Sequence, residues 1–131
     1  MAKINYIKVA KKSANIQIRE LKKINKIFNK DFIRAVEAIH KAKGKVVCSG
    51  VGKSGLIARK VSASFSSVGI SSFFLDPHSA IHGDLGQIDK RDVLVIFSYS
   101  GNTLELSNLL KYANRFGIKV IGVASSKDSL L

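Results

Sequence analysis

Two short stretches of this sequence combine glycines with groups that hold anions. The first, Gly50-Val51-Gly52-Lys53-Ser54-Gly55, places three glycines, a lysine and a hydroxyl within six residues. Glycine lets a backbone approach a ligand closely, and the free N–H groups where a helix begins favour negative charge. Several readings compete for it, one of them a purely structural tight turn. A nucleotide P-loop ending in Gly52-Lys53-Ser54 needs glycine at position 47, where Val47 stands. A dinucleotide fingerprint G-x-G-x-x-G fits letter by letter, with Asp76 about twenty residues further on. A sugar-phosphate site would instead project Lys53 into the pocket.

The second stretch, Ser98-Tyr99-Ser100-Gly101-Asn102-Thr103, separates these readings. Three hydroxyls around one glycine, at the start of a helix, make a nest of donors for a phosphate dianion. A dinucleotide fold has no need of a second cradle at this place, and turn chemistry does not call for Ser98, Ser100 and Thr103 together. Glu105 follows in the first turn of the expected helix, where a carboxylate suits a general base working on a carbon next to a carbonyl. Between the two loops runs Pro77-His78-Ser79-Ala80-Ile81-His82-Gly83-Asp84-Leu85-Gly86, read as irregular. His82 is its best acid–base candidate, because imidazole titrates near neutrality.

The elements that must position these loops follow from hydrophobic spacing. Ile7, Ala10, Ala14, Ile18, Leu21, Ile24 and Phe28 recur at three- and four-residue steps, an amphipathic helix. A second helix carries Phe32, Ala35, Val36 and Ile39, with Asp31 as its cap and Gly44 as its stop. Residues 45–49, 71–75, 92–97 and 118–124 are short, nearly all-apolar runs. They alternate with helical patterns over 54–67 and 103–115. That is an α/β fold, a doubly wound parallel sheet of about four strands preceded by two N-terminal helices. The expected division is a helical segment over 1–43 and the sheet domain over 44–131. In such sheets ligands bind at the carboxyl ends of the strands, where the first and third strands carry the two loops.

Composition narrows the rest. Of 131 residues, 46% are hydrophobic, which excludes a disordered chain. The net charge of +13 lies within residues 1–60, with 16 Lys and Arg against three acids; residues 61–131 hold six of each sign. This excess is mostly lysine, without interleaved aromatics, so a solvated helix face is expected, with neither nucleic acid nor membrane as partner. The single Cys48 lies in an apolar run and fits a small buried hydrophobe. With no disulfide framework and no secretory signal, a cytoplasmic location is expected.

The stretches GKVVCSGVGKSGLIARKVSASFSSVGISSFFLDPHSAIHGDLG (44–86) and DVLVIFSYSGNTLEL (92–106) resemble the SIS (sugar isomerase) domain, and within it the arabinose-5-phosphate isomerase family. The resemblance implies a flavodoxin-like strand order and reversible aldose–ketose isomerisation of D-arabinose 5-phosphate and D-ribulose 5-phosphate, feeding Kdo for lipopolysaccharide. It implies proton transfer through an enediol, with no cofactor. Position by position, it gives Lys53 and Glu105 catalytic roles and makes His82 a substrate-contacting group. Gly52, Ser98, Ser100, Gly101 and Thr103 fall in the phosphate site, with Ser54 as a helper. Gly69 and Ile70 match a substrate-proximal turn. Asp76 stands where relatives can carry a metal-binding histidine, so no metal site is transferred. The family assembles as homo-oligomers that share sites between subunits. Its members continue into a fifth strand and further catalytic residues, so a truncated chain with half a site and little activity is expected here. A non-catalytic sugar-phosphate-sensing module is the alternative.

Overall fold

The computed structural model describes residues 4–131, which divide into two compact units, one ending at Val36 and the other running from Glu37 to Leu131.

In the first unit, helix α1 (Tyr6–Lys22) starts at Asn5, whose side chain accepts the Lys8 N–H at 2.9 Å. The expected single helix to Phe28 tightens instead into a 3-10 turn over Lys23–Ile27. Helix α2 (Lys30–His40) begins in this unit. Its cap is Asn29, not Asp31: the Asn29 Oδ1 accepts the N–H of Asp31 at 2.8 Å and of Phe32 at 3.2 Å. Asp31 falls one position inside the helix and pairs with Arg34.

The second unit is the expected α/β layer. Its strands are β1 (Val46–Gly50), β2 (Ser72–Leu75), β3 (Val93–Phe97) and β4 (Lys119–Val123). All pairings are parallel, in the order β2-β1-β3-β4. The longer helices are α3 (Gly52–Ser67) and α5 (Ser107–Phe116). Every residue of β1 is buried, as a central strand covered on both faces requires. One buried cluster joins Val47, Leu94 and Ile96 to Leu106, Leu109 and Ala113. On the other face Cys48, Val93 and Val95 meet Ala58 of α3.

Several local expectations change. Gly44 does not end α2, which stops at His40; it is pressed against Arg91 and Asp92 so closely that a Cβ would collide with the Asp92 carboxylate. Asp92 is buried just before β3, where it accepts the Lys45 N–H at 2.6 Å and the Asp89 N–H at 2.8 Å. It thereby ties the start of β1 to the start of β3. The Pro77–Gly86 segment is not irregular. Asp76 accepts the His78 N–H at 2.9 Å, and Pro77, lacking a donor, opens the short helix α4 (Pro77–Ala80). A 3-10 turn over Asp84–Gln87 follows. The helix expected over 103–115 begins as a 3-10 turn, Leu104–Leu106, before α5 proper. Among the described residues no helix is long and apolar enough to cross a membrane.

Candidate functional site

The strand order 2-1-3-4 reverses between β1 and β3, and there the two glycine-containing loops meet. Gly50 and Phe97, the last residues of β1 and β3, are register partners. The turn after Gly50 and the loop after Phe97 therefore leave the sheet side by side, at the crevice where parallel sheets bind ligands.

The first loop is held close by glycine. A Cβ on Gly55 would lie 2.6 Å from the Gly50 carbonyl oxygen, and one on Gly50 would lie 2.8 Å from that of Phe97. The absence of both side chains lets α3 start directly against the strand end. Gly52 adopts φ +57°, and the space beside it is open. Val51 at the cap position has no side-chain acceptor, so the first-turn N–H groups of α3 are not satisfied by a cap. Lys53 is exposed on that turn, and Ser54 is half-buried behind it.

The second loop is stiffened by its own hydroxyls. Ser98 is only 3% exposed. Its Oγ lies 2.7 Å from the Thr103 Oγ1 and accepts the Gly101 N–H at 3.1 Å. Gly101 turns with φ +70°, and the Asn102 N–H donates to the Ser100 Oγ at 3.2 Å. Ser98 and Thr103 share one hydroxyl hydrogen between them, so the other hydroxyl hydrogen stays available to an acceptor such as phosphate. Ser100 is exposed at the rim. Glu105 is exposed in the 3-10 turn, one turn ahead of α5 and not within its first α-turn.

Helix α4 enters the neighbourhood through the core, because Ala80 belongs to the same buried cluster as Leu106, next to Glu105. His82 follows on an exposed turn, its N–H bonded to the Ser79 carbonyl at 2.9 Å. Asp76, besides capping α4, lies 3.8 Å from Arg59, whose guanidinium stacks 3.9 Å over the Phe74 ring. Among the described residues, no three His, Cys, Asp or Glu side chains gather as a metal cage. Gly69 and Ile70 are set apart from all of these: they link α3 to the start of β2, at the amino end of the sheet. Within one chain they share no crevice with the two loops.

What sequence reasoning missed is the segment after β4. The Ser125 N–H donates to the Tyr99 carbonyl at 3.0 Å, and the Leu130 N–H to the Asn102 Oδ1 at 3.1 Å. No local pattern announces contacts across some 28 residues; only the serine content of 125–129 hinted at a turn.

The chain is thus a doubly wound α/β domain with an uncapped helix start and a hydroxyl-rich loop paired at its switch point, the place where such sheets bind ligands. The chain belongs to the SIS domain family, whose model matches residues 38–131. Among curated relatives, it is 37% identical over 128 residues to arabinose 5-phosphate isomerase KdsD of Yersinia pestis, covering 98% of this chain and 39% of that protein. It is 43% identical over 101 residues to KdsD of Pseudomonas aeruginosa, covering 77% of this chain and 31% of that one. A solved structure, that of an E. coli CFT073 protein in complex with arabinose 5-phosphate, superposes with TM-score 0.82 at 35% identity, over 96% of this chain and 69% of that chain. The chain thus spans about two fifths or less of the length of these curated relatives.

Proposed function

We propose that this chain binds a pentose 5-phosphate and carries the proton-transfer residues of a D-arabinose 5-phosphate/D-ribulose 5-phosphate isomerase. The observation that carries the reading is the register pairing of Gly50 with Phe97, which sets the α3 turn beside the Ser98–Thr103 nest. The phosphate would take the Ser100 hydroxyl, the one hydroxyl hydrogen that the Ser98–Thr103 pair leaves free, and the N–H groups around Gly52 and Ser54, beside the turn at Gly101. Anchored there, the sugar extends toward Lys53, His82 and Glu105. The Glu105 carboxylate removes the proton from C2 of the aldose and returns one to C1. Meanwhile a proton moves from the C2 hydroxyl to the C1 oxygen, so the enediol closes to the ketose without net oxidation. The Lys53 ammonium offsets negative charge as it develops on the enediol oxygens. His82 contacts the sugar hydroxyls.

The relatives named as arabinose 5-phosphate isomerases, and the arabinose 5-phosphate bound in the E. coli structure, support the choice of sugar. A homo-oligomer fits the same reading: Leu56 and Ile57, 68% and 56% exposed on the first turns of α3, are side chains a second copy would cover. A cytoplasmic setting fits an enzyme whose substrate is a phosphorylated sugar.

Thermal denaturation with arabinose 5-phosphate, ribulose 5-phosphate, inorganic phosphate and NAD tests this directly. Stabilisation that grows with the two pentose phosphates but not with NAD is expected. A response to NAD alone would overturn it in favour of a dinucleotide site.

A further inference from the structure

The segment after β4 folds onto the phosphate loop and closes on itself. Its own turn is made by the Asp128 N–H donating to the Ser126 Oγ at 3.1 Å and the Ser129 Oγ donating to the Ser126 carbonyl at 3.2 Å. Its near end is pinned by the Ser125–Tyr99 bond and its far end by the Leu130–Asn102 bond. Between them Ser129 rests on Gly101: a Cβ there would lie 2.5 Å from the Ser129 Cβ and 3.2 Å from the Ala124 Cβ. Leu131 anchors the segment from below, packing against the buried cluster that holds Leu106 and Leu109, and crossing Gly122 so closely that a Cβ would sit 3.1 Å from its own.

The contacts fall on the residues whose backbone shapes the nest. Gly101 holds the loop's left-handed turn, and its N–H and that of Asn102 donate to the Ser98 and Ser100 hydroxyl oxygens, fixing where those hydroxyls stand. A body resting on Gly101 and hydrogen-bonded to the Asn102 side chain limits how far either peptide can rotate. We propose that residues 125–131 are a strap that sets the donor geometry of the phosphate loop, with Asn102 as its latch and Leu131 as its anchor. Strap closure and phosphate occupancy are then coupled: each stabilises the other by the same factor. The proposal rests on the phosphate-binding reading above. Asn102 and Leu131 are positioning residues in it, since neither needs to touch the sugar.

Amide hydrogen exchange on the full chain, with and without inorganic phosphate or arabinose 5-phosphate, tests it. In the wild type the Ser125 and Leu130 amides should be protected, and ligand should slow their exchange further. Asn102→Ala should abolish protection at Leu130 while Leu94 and Ile96 in β3 keep theirs; Asn102→Asp retains the acceptor and should keep Leu130 protected. Leu131→Ala alters no loop residue, yet should weaken binding of inorganic phosphate by about fivefold, the low end of ordinary coupling between sites. The strap is overturned if the wild-type Leu130 amide exchanges as fast as an unstructured peptide while phosphate still binds. It is equally overturned if Leu131→Ala binds phosphate as tightly as the wild type. Protected strap amides that respond to neither ligand while calorimetry shows phosphate binding would overturn the coupling; absence of any binding by calorimetry would instead overturn the phosphate reading.

Discussion

The hydroxyls of Ser98 and Thr103 lie 2.7 Å apart across the six-residue loop that they bound. Ser98 is buried and also takes the Gly101 N–H, so one side chain fixes both ends of the nest and its central glycine. The pairing gives these hydroxyls a structural part of their own: they shape the loop without any ligand.

Ser98→Ala should therefore cost twice. Folding stability should fall by about 1 kcal/mol, because the Thr103 hydroxyl loses its partner and the Gly101 N–H keeps only its bond to the Ser98 carbonyl. Phosphate-ester affinity should fall about tenfold or more, beyond what the stability loss explains. Chemical denaturation and calorimetric titration on the same variant separate the two effects.

Gly101 and Gly52 both adopt left-handed backbone, but only Gly101 is crowded. Gly52→Ala should cost about 1 kcal/mol, the ordinary penalty of a positive φ. Gly101→Ala should cost about 2–3 kcal/mol, because the added methyl also drives Ser129 away. Equal losses by denaturant titration would contradict the close approach of the 125–131 segment.

Asp92 holds the two central strands together at the end of the sheet far from the site. Its carboxylate takes main-chain N–H groups from Lys45 and Asp89, and the Lys45 ammonium stands 3.8 Å away. Asp92→Ala should destabilise the fold by about 2–3 kcal/mol by leaving those two half-buried donors unpaired. At temperatures where the variant remains folded, phosphate affinity should be unchanged. A matching loss of affinity would place Asp92 in the binding machinery instead.

Burial pushes the Cys48 thiol above its usual value, with a hydrogen bond to Ser72 opposing it. The protonated form is thus the one folding favours. The stability this contributes is complete below the unfolded thiol's value of about 8.5 and is lost as pH rises through the raised folded value. At a pH of about 8, just below that unfolded value, labelling of Cys48 by a disulfide reagent should follow global unfolding. Rapid labelling of the native protein would contradict its burial.

Much of this fold was readable from residue pattern. The runs over 45–49 and 92–97 are too apolar for a half-exposed strand, and glycine turns follow or precede them, so a buried parallel sheet was the natural reading. The two loops were legible because their residue types, hydroxyls and glycines at a helix start, do one kind of chemistry. Boundaries were less so. The cap at Asn29 was hidden by Asp31, which is equally good at capping and stands two residues on. The Pro77 helix was hidden because four residues leave no period to detect. Asp92 and the strap were missed for a different reason: their partners lie 47 and 28 residues away in sequence, and side-chain-to-backbone bonds over such spans carry no local signal. Gly69 and Ile70 differ again: they stand at the amino end of the sheet, so within one chain they lie apart from the two loops, and likeness of sequence carries no information on which copy they would face.

The central claim is that the nest at the switch point recognises a phosphate ester. Calorimetric titration of the purified chain with arabinose 5-phosphate and, separately, with unphosphorylated arabinose tests it most directly. Saturable binding of the phosphorylated sugar, displaced by inorganic phosphate and lost in Ser98→Ala, with no response to arabinose, is the expected result. Equal affinity for the two sugars, or arabinose 5-phosphate binding that survives Ser98→Ala undiminished, would contradict it.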